Sequence, residues 1–404
     1  MSTAGTPFLP YGRQSIDDDD IAAVSEVLRG NWLTTGPAVE SFEAALAQTC
    51  GAGHAVACAN GTAALHLSVL AAGLGPGDKA IVPSVTFLAT ANAAHYVGAE
   101  VVFADCNPDS GLMEAAHFAE ALERAGPAVK AVLPVHLAGQ CADLPAIREL
   151  AKSHDITVIE DAAHAIGSFY RRGGNAALPI GCGADSDFTC FSFHPVKTMT
   201  MGEGGAVTTN DPELAARLRR FRSHGMTRDP GEFTNSGLAF MHDGTANGWY
   251  YEMAEPGFNY RATDFQCALG LSQLTKLPRF AERRREIVAR YDERLAPLAP
   301  RLRPLARNAD CTPAWHLYVV LIDFAGLSLE RGKVMQALHA AGIGSQVHYI
   351  PVHQQPFYQA QHPGLRLPGA ESYYARALSL PLFPDMQDSD VDRVVDALRA
   401  CIPA

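Results

Sequence analysis

The chain has little lysine, no long apolar run and no excess of positive charge. Its 404 residues include six lysines against 26 arginines, and the formal net charge is −11. This balance argues against a nucleic-acid partner, because phosphate backbones are bound by clustered lysine and arginine. No segment reaches the roughly 18 consecutive apolar residues of a membrane helix, so the sequence predicts no membrane span.

Cysteines are present but form no pattern. The nine cysteines are scattered without a Cys-x-x-Cys pair, and an odd number makes a poor disulfide framework. The first ten residues lack the basic region and the apolar core of a secretory signal. We therefore expect a reduced protein in the cytoplasm.

Helix-like and strand-like segments alternate over residues 15–260. This alternation predicts an α/β fold with a mainly parallel central sheet flanked by helices. From about residue 299, short strands punctuated by proline alternate with amphipathic helices. We expect a large α/β domain at residues 1–260 with an N-terminal arm at 1–14, and a smaller α+β domain at 261–404.

The same periodicities predict individual elements. Ser15 is expected to cap a first helix that has an acidic first turn, Asp17 to Asp20, and that ends at Gly30. Strands are expected at residues 80–83, 100–104, 131–135, 157–159, 187–191, 206–209 and 317–322. Later helices are expected at residues 261–277, 279–298, 329–341 and 388–401.

Lys197 is the lysine whose surroundings indicate chemistry. It lies between an aromatic segment at 191–194 and a glycine-rich segment at 202–205. Partial desolvation there lowers the pKa of the amine and frees it for covalent chemistry with a carbonyl. The other five lysines lie in turns or on polar helix faces. A lysine lying over the surface beside a loop is an equally good interpretation of Lys197 alone.

Asp161 favours the catalytic interpretation of Lys197 over the structural one. It ends a short β-branched segment that predicts a buried parallel strand, and ligands bind at the carboxyl edge of such sheets. A lysine that bonds a carbonyl and an acid that keeps a pyridine nitrogen protonated are both required by pyridoxal phosphate (PLP) enzymes. Glu160 precedes Asp161, and side chains alternate along a strand, so only one of the two can face the site. Alone, Asp161 would be an ordinary turn or cap residue.

Three other segments complete this hypothesis. Gly61, Thr62 and Ala63 open a helix after a short strand, and a helix N-terminus can hold a phosphate. Ser192 is near enough to Lys197 for its hydroxyl to reach the same phosphate, and Phe87 can stack on a cofactor ring. Taken singly, the glycine turn is more often an ordinary helix cap, and Phe87 is more often a core residue.

The histidines do not predict a metal site. No His-Glu-x-x-His motif occurs, and the spacing of His348 and His353 matches neither a helical pair nor a zinc finger. We therefore expect no metal.

The residues singled out above lie in segments that closely resemble one family. Residues 60–67, 159–167, 191–210 and 257–274 resemble the DegT/DnrJ/EryC1/StrS aminotransferases, which act on nucleotide-linked keto sugars. The resemblance covers nearly the whole chain. Residues 193–197, 221–226 and 346–353 look most like the branch of pseudaminic acid biosynthesis. The segment 198–201 is more apolar than the pattern of the family.

The resemblance implies the fold-type I PLP architecture and a homodimer whose active sites lie at the subunit boundary. It implies that Lys197 bonds the cofactor, that Asp161 binds its pyridine nitrogen and that Phe87 stacks on the ring. His164 is expected beside the cofactor. Phosphate ligands are expected at Gly61, Thr62, Ala63, Ser192 and, from the neighbouring subunit, Asn259. Sugar-nucleotide contacts are expected at Tyr11, Leu33, Thr34, Thr35, Gly36, Arg261, His316 and Tyr318.

The implied reaction transfers an amino group from L-glutamate to the C4 keto group of a UDP-linked 4-keto-6-deoxy-N-acetylhexosamine. A sugar aminated at C3, or one linked to GDP or dTDP, is the nearest alternative. Sugar dehydratases of this family typically carry histidine at the position of Lys197, so the lysine disfavours dehydration. A non-catalytic regulatory protein that binds PLP or a sugar is the alternative from another class.

Overall fold

The computed structural model describes residues 7–402. Residues 1–6 of the predicted N-terminal arm, and residues 403–404 of the predicted small domain, lie outside the described residues. The division of the chain into two domains at residue 260 stays a prediction.

Strands and helices alternate through most of the described chain. The strands are β1 (His54–Cys58), β2 (Lys79–Pro83), β3 (Glu100–Ala104), β4 (Val129–Val132), β5 (Thr157–Asp161), β6 (Phe169–Tyr170), β7 (Leu178–Pro179), β8 (Phe188–Ser192), β9 (Gly205–Thr209), β10 (Met226–Thr227), β11 (Glu252–Met253), β12 (Leu302–Pro304), β13 (Cys311–Thr312), β14 (Tyr318–Ile322) and β15 (Ala377–Leu380). The α-helices are α1 (Asp18–Arg29), α2 (Pro37–Cys50), α3 (Gly61–Ala71), α4 (Leu88–Tyr96), α5 (Ala115–Ala125), α6 (Leu144–Lys152), α7 (Pro212–Arg222), α8 (Ser236–Ala239), α9 (Asp264–Leu295), α10 (Arg331–Ala340), α11 (Pro356–Gln361), α12 (Pro368–Arg376) and α13 (Asp388–Cys401).

The central sheet has seven strands in the order β1-β9-β8-β5-β4-β2-β3. Strands β3, β2, β4, β5 and β8 run parallel to one another, whereas β9 is antiparallel to both β8 and β1. Helices cover the sheet, and residues such as Val158, Ile159 and Val207 are fully buried. The predicted α/β fold with a mainly parallel sheet, the architecture of fold-type I PLP enzymes, is confirmed.

A second core lies around a three-stranded antiparallel sheet in the order β12-β14-β15. Val320 and Leu378 of this sheet pack against helix α13 and the C-terminal half of helix α9. The N-terminal segment also joins this core, because Leu9 is buried there and pairs with Ile343. Tyr11, two residues further on, is thereby held near the sheet.

Helix α9 corrects one sequence prediction. Two helices were expected on either side of residue 278, but Asp264–Leu295 is one continuous helix with Pro278 inside it. Its start is fixed by a capping box between Thr263 and Gln266 rather than at residue 261. Its first half buries Leu274 in one core and its second half buries Tyr291 in the other. This burial offsets the roughly 3 kcal/mol that proline costs within a helix.

Helix α1 corrects another. Its cap is Asp17, whose side chain takes part in a capping box with Asp20, and not Ser15. The Ser15 hydroxyl instead donates to Asp385, 2.8 Å away. The acidic first turn and the end at Gly30 were predicted correctly.

The apolar segment 198–201 is explained by packing. Met199 and Met201 are buried in the core beneath the central sheet, and Met201 lies against Gly270 of helix α9. A side chain at Gly270 would approach Met201 to 2.8 Å. The departure from the family pattern therefore belongs to the core.

Candidate active site

A cavity of about 630 Å³ opens at the carboxyl ends of the parallel strands. Its wall includes Thr86 beyond β2, Val135 beyond β4, Asp161 at the end of β5 and Ser192 at the end of β8. Ligands bind at this edge in open α/β sheets. Nine of the residues predicted from the sequence line it: Tyr11, Gly61, Thr62, Phe87, Asp161, His164, Ser192, Lys197 and His316.

Lys197 is partly exposed to this cavity, in a turn whose backbone N–H donates to the His194 carbonyl at 2.8 Å. Burial lowers the pKa of the Lys197 amine to about 8, against the opposing effect of the nearby Asp161 charge. At pH 7 roughly a tenth of the amine is therefore unprotonated, far more than for an ordinary lysine. An unprotonated amine is the form that attacks a carbonyl or accepts a proton.

The Asp161 carboxyl lies at the tip of β5 and is 5% exposed. One oxygen accepts a hydrogen bond from the Thr90 hydroxyl at 2.6 Å, and the other accepts one from the Ala163 N–H at 3.1 Å. These donors orient the carboxylate at the cavity wall. Such a carboxylate can bind a protonated ring nitrogen.

Glu160 points to the opposite face of the strand. Its carboxylate accepts hydrogen bonds from Ser186 and from Thr189, and it contacts the His136 ring nitrogen at 2.8 Å. The alternation along the strand thus gives Glu160 a buried network and Asp161 the cavity.

The turn before helix α3 fits a phosphate. Asn60 caps the helix by accepting a hydrogen bond from the Ala63 N–H at 2.8 Å, and Thr62 lines the cavity. Gly61 approaches Ser192 so closely that an added Cβ would lie 2.7 Å from the Ser192 Cβ. Glycine is therefore needed to bring the helix N-terminus and the serine hydroxyl to the same point, where an anion can accept from both.

A chain of hydrogen bonds fixes the tautomer of His164. The Ala138 N–H donates to Nδ1 of His164 at 3.3 Å, and Nε2 lies 3.0 Å from the Tyr349 hydroxyl. Burial lowers the pKa of His164 well below its usual value, so the ring is neutral and carries its proton on Nε2. That proton is donated to the Tyr349 oxygen. The Tyr349 O–H is left to donate to an acceptor in the cavity.

Two further histidines surround this chain. The His316 ring lies 4.4 Å from the His164 ring, and its buried Nδ1 has no hydrogen-bond partner within residues 7–402. Nδ1 of His348 lies 2.8 Å from the Ser379 hydroxyl. Burial lowers the pKa of His348 to about 3 and that of His316 well below its usual value. These three rings are therefore neutral at physiological pH and contribute no imidazolium charge to the wall.

Aromatic rings close two sides of the cavity. Phe87 is 55% exposed and lies 5.9 Å from the Tyr349 ring, which leaves its face open to a flat ligand. Tyr11 lies 5.6 Å from the His348 ring. The exposure of Phe87 argues against the alternative that it is a core residue.

Two predicted contacts lie outside this cavity for reasons visible in the fold. Ala63 is buried, and its N–H is already bonded to Asn60. Tyr318 is 2% exposed in the smaller core, where its ring stacks on Tyr291 and its hydroxyl donates to Asp292 at 2.8 Å. Neither residue lines the cavity of the single chain, and both assignments stay predictions.

The remaining predicted residues lie elsewhere on the same chain and are exposed or half-buried. We call them the outer strip: Leu33, Thr34, Thr35, Gly36, Asn259 and Arg261. None of them lines the cavity. Thr34 pairs with Thr263, and the Gly36 N–H donates to Asp264 at 2.8 Å, which holds the loop beside the start of helix α9. Asn259 pairs with Ser223 and is exposed.

Sequence reasoning missed Thr90 and Tyr349. Thr90 lies one helical turn after Thr86, and the two hydroxyls are 2.7 Å apart. The Thr-x-x-x-Thr spacing at the start of a helix is a signal that could have found it. Tyr349 lies within the segment 346–353, which supported the family resemblance but was assigned no role in the site.

Residues 7–402 contain no group of three or more metal-binding side chains arranged around a common point. Within the same residues no helix has the length and apolarity required to cross a bilayer.

Comparison with known proteins agrees with this geometry. The family model of the DegT/DnrJ/EryC1/StrS aminotransferases matches residues 14–399. Helicobacter pylori PseC, an aminotransferase of pseudaminic acid biosynthesis, is 30% identical with a TM-score of 0.86, over 98% of this chain and 99% of that one. S. venezuelae DesV, solved with a ketimine intermediate, is 34% identical with a TM-score of 0.83, over 98% of both chains.

A putative sugar aminotransferase of Streptococcus pneumoniae, Spr1654, is 30% identical in its PLP form, with a TM-score of 0.84 and 98% coverage of both chains. The same protein was also solved in a PMP form. These forms agree with the cofactor that Lys197 and Asp161 predicted. Since the family model and these relatives span almost the full length, the chain belongs to the DegT/DnrJ/EryC1/StrS aminotransferase family.

Proposed function

We propose that this aminotransferase uses PLP to move an amino group from L-glutamate to the C4 keto group of a UDP-linked 4-keto-6-deoxy-N-acetylhexosamine. Its product would be UDP-4-amino-4,6-dideoxy-N-acetyl-β-L-altrosamine or a close relative. The observation that carries the proposal is a lysine with a pKa of about 8 that shares one cavity with a buried, oriented Asp161. The likeness to PseC supports the choice of sugar.

The residues of the cavity fit PLP. Asp161 would bind the ring nitrogen, Phe87 would cover a ring face, and Gly61, Thr62 and Ser192 would bind the phosphate. When bound, PLP supplies an aldehyde that takes up an amino group and a protonated ring that withdraws electrons from the carbon losing its proton.

Lys197 has two tasks in this proposal. Its unprotonated amine would hold the aldehyde of PLP, and the lowered pKa of about 8 makes that form of the amine more abundant near neutral pH. When free, the same nitrogen would move a proton as general base and then as general acid. Both tasks require a primary amine, so no other cationic side chain can replace it.

His164 and Tyr349 bind and orient ligands. The neutral His164 donates to the Tyr349 oxygen, and the Tyr349 O–H is aimed at an acceptor inside the cavity. Acceptors on a keto sugar include its carbonyl and hydroxyl oxygens. Tyr11 and His316 line the same side, and we assign them to the sugar nucleotide.

We further propose a homodimer with shared active sites. The exposure of apolar side chains in and beside the outer strip supports this role. Leu33, within the strip, is 49% exposed, and the adjacent Trp32 is 58% exposed. Aromatic side chains are enriched at interfaces between proteins. In this arrangement Asn259 of one chain completes the phosphate site of the other, and Arg261 and the loop 33–36 contact its sugar nucleotide.

A cytoplasmic location is proposed as well. All nine cysteines are free thiols in this fold, and seven of them are buried. Free thiols are typical of a reducing compartment.

A second candidate substrate is another nucleotide keto sugar, aminated at C3 or carried on GDP or dTDP. DesV is 34% identical to this chain, slightly more than PseC at 30%. Overall identity therefore does not favour one sugar over another.

The test is to load the enzyme with pyridoxamine phosphate and offer it a panel of nucleotide keto sugars. We expect a 4-amino product from the UDP-linked 4-keto-6-deoxy-N-acetylhexosamine, identified by mass and NMR. Amination of a dTDP- or GDP-linked sugar alone would replace the substrate assignment. Failure of every sugar, together with no 2-oxoglutarate from glutamate, would contradict aminotransfer itself.

A further inference from the structure

Cys141 and Cys311 bring two thiols together outside the cavity. Their sulfurs are 3.0 Å apart although the residues are 170 positions apart in the sequence. The Cys141 backbone N–H also donates to the Cys311 sulfur at 3.1 Å. A disulfide requires a sulfur separation of about 2 Å, so closure needs a movement of only about 1 Å.

The segments that carry the two thiols are already held together. Gln140 donates to the Ala306 carbonyl and accepts from the Asn308 N–H, both at 3.1 Å. The Asn308 side chain donates to the Cys141 carbonyl at 3.0 Å. Because these bonds fix the backbone on both sides, the thiols meet without a conformational search.

The two thiols differ in reactivity. Cys311 is partly exposed, and its hydrogen bond with the Cys141 thiol lowers the pKa of Cys311 against the effect of burial. Cys141 is buried, and burial raises its pKa. A second cavity of about 610 Å³ has the chain neighbours of the two cysteines, Ala142 and Asp310, in its wall. Because Cys311 is the more exposed of the two thiols, a small oxidant reaches it first, and thiolate character makes that sulfur the nucleophile.

We propose that Cys141 and Cys311 form a redox-modification site at which hydrogen peroxide converts two thiols into one intramolecular disulfide. The Cys311 sulfur attacks the peroxide oxygen, the O–O bond breaks, and a sulfenic acid and one water form. The Cys141 sulfur then attacks the Cys311 sulfur and displaces a second water. The two thiols lose two electrons and two protons, and one hydrogen peroxide becomes two waters.

The disulfide would join two segments that frame the active-site cavity. One contains Ala138, whose N–H fixes the tautomer of His164. The other leads to His316, whose N–H donates to the Ala138 carbonyl at 2.9 Å. The modification thus links oxidation to the part of the fold that holds the cavity histidines.

The test treats the PLP-loaded enzyme with hydrogen peroxide, blocks free thiols and digests it with trypsin. Residues 131–148 and 308–331 form two tryptic peptides with one cysteine each. We expect them to appear as a disulfide-linked pair, lighter than the two free peptides by two hydrogens, and to separate after dithiothreitol. In Cys141→Ser, the peptide 308–331 should instead be trapped by dimedone as a sulfenic acid adduct.

Cys401→Ser is the matched control, because Cys401 is the other partly exposed cysteine and its thiol donates to the Ala397 carbonyl. That variant should link 131–148 to 308–331 as the wild type does. The proposal is overturned if the linked pair is missing while circular dichroism shows a folded protein. It is equally overturned if Cys311 links only to another chain, or if the dimedone adduct forms on Cys401 alone.

Discussion

The cavity and the outer strip differ in how much one chain completes by itself. The cavity brings together Lys197, Asp161 and the turn before helix α3 from segments far apart in the sequence. The outer strip holds Asn259, Arg261 and the loop 33–36, and none of these residues reaches that cavity. The family resemblance gave both groups a place in one active site.

The difference shows that the reactive side chains of the cavity and the residues of the outer strip are positioned by different means. Strand order and side-chain alternation fix the reactive groups within one chain, because the carboxyl ends of parallel strands meet at one edge. The outer strip has hydrogen bonds that hold its own shape, such as Gly36 to Asp264, but it lies outside the cavity of its own chain. In our proposal, the outer strip of one chain lies at the cavity of a second copy of the chain.

The largest effect is expected for Lys197→Arg, which keeps the charge but removes the primary amine. Turnover should fall on the order of 10³-fold or more, because covalent attachment and proton transfer are both lost. Formation of 2-oxoglutarate from glutamate in a single turnover measures it. Lys333→Arg, at an exposed lysine paired with Glu330, is the matched control and should keep full activity. A Lys197→Arg enzyme with a large part of its activity would remove the catalytic assignment.

Asp161 and Glu160, on opposite faces of strand β5, are expected to respond differently to substitution. Asp161→Asn should lower turnover roughly 10²-fold and change the absorption of the bound cofactor, since the ring nitrogen loses its anionic partner. Glu160→Gln should instead lower the free energy of unfolding by about 1–3 kcal/mol, because the amide cannot accept all the bonds of the buried network. Turnover and urea unfolding of both variants separate the roles. The assignment fails if Glu160→Gln is the variant that loses turnover while remaining folded.

The reactivity of the Lys197 amine is expected to depend on pH. Because burial lowers the pKa of Lys197 to about 8, the unprotonated fraction of its amine rises tenfold per pH unit below that value and then levels off. The rate at which the cofactor-free protein binds PLP covalently should rise steeply from pH 6 to 8 and become flat above about pH 9. Stopped-flow absorbance measures it. A rise that continues towards pH 10 would mean an ordinary, solvated lysine.

Sequence alone could predict the sheet and the reactive pair for physical reasons. The β-branched segments that became β2, β3 and β5 are buried on both faces, and such segments have a distinct composition. Lys197 and Asp161 stood out because their residue types are required together by one kind of chemistry. Strand ends were less certain: the expected strand at 131–135 is Val129–Val132, and Val135 continues into the cavity wall.

The rest depended on tertiary contacts that no local pattern encodes. Pro278 predicted a break, but burial on both halves of helix α9 keeps the helix continuous. Tyr318 followed His316 closely enough to share a role, yet strand alternation in β14 turns its side chain into the core. The role of Tyr349 requires the fold to place it beside His164, which is 185 positions away.

Asn259→Ala tests whether the outer strip belongs to the other subunit's site. Losing one hydrogen bond to a phosphate should raise the half-saturating PLP concentration about tenfold. Co-expression with Lys197→Arg chains sharpens the test, because only the Asn259→Ala chains then retain Lys197 and report turnover. In purified mixed dimers the half-saturating concentration should return to that of the wild type. An unchanged value would place Asn259 in the site of its own chain or outside any site.

The smallest effect is expected for Tyr349→Phe, which removes one hydroxyl and keeps the ring against Phe87. The His164 Nε2–H loses its acceptor, and a ligand loses one neutral donor, so kcat/KM for the keto sugar should fall about threefold. Glutamate deamination should change less if Tyr349 serves the sugar rather than the cofactor. Comparing the two half-reactions therefore distinguishes the roles of Tyr349. An equal loss of activity in both half-reactions would assign Tyr349 to the cofactor, through His164. No loss in either would make the Tyr349 hydroxyl a purely structural partner of the His164 ring.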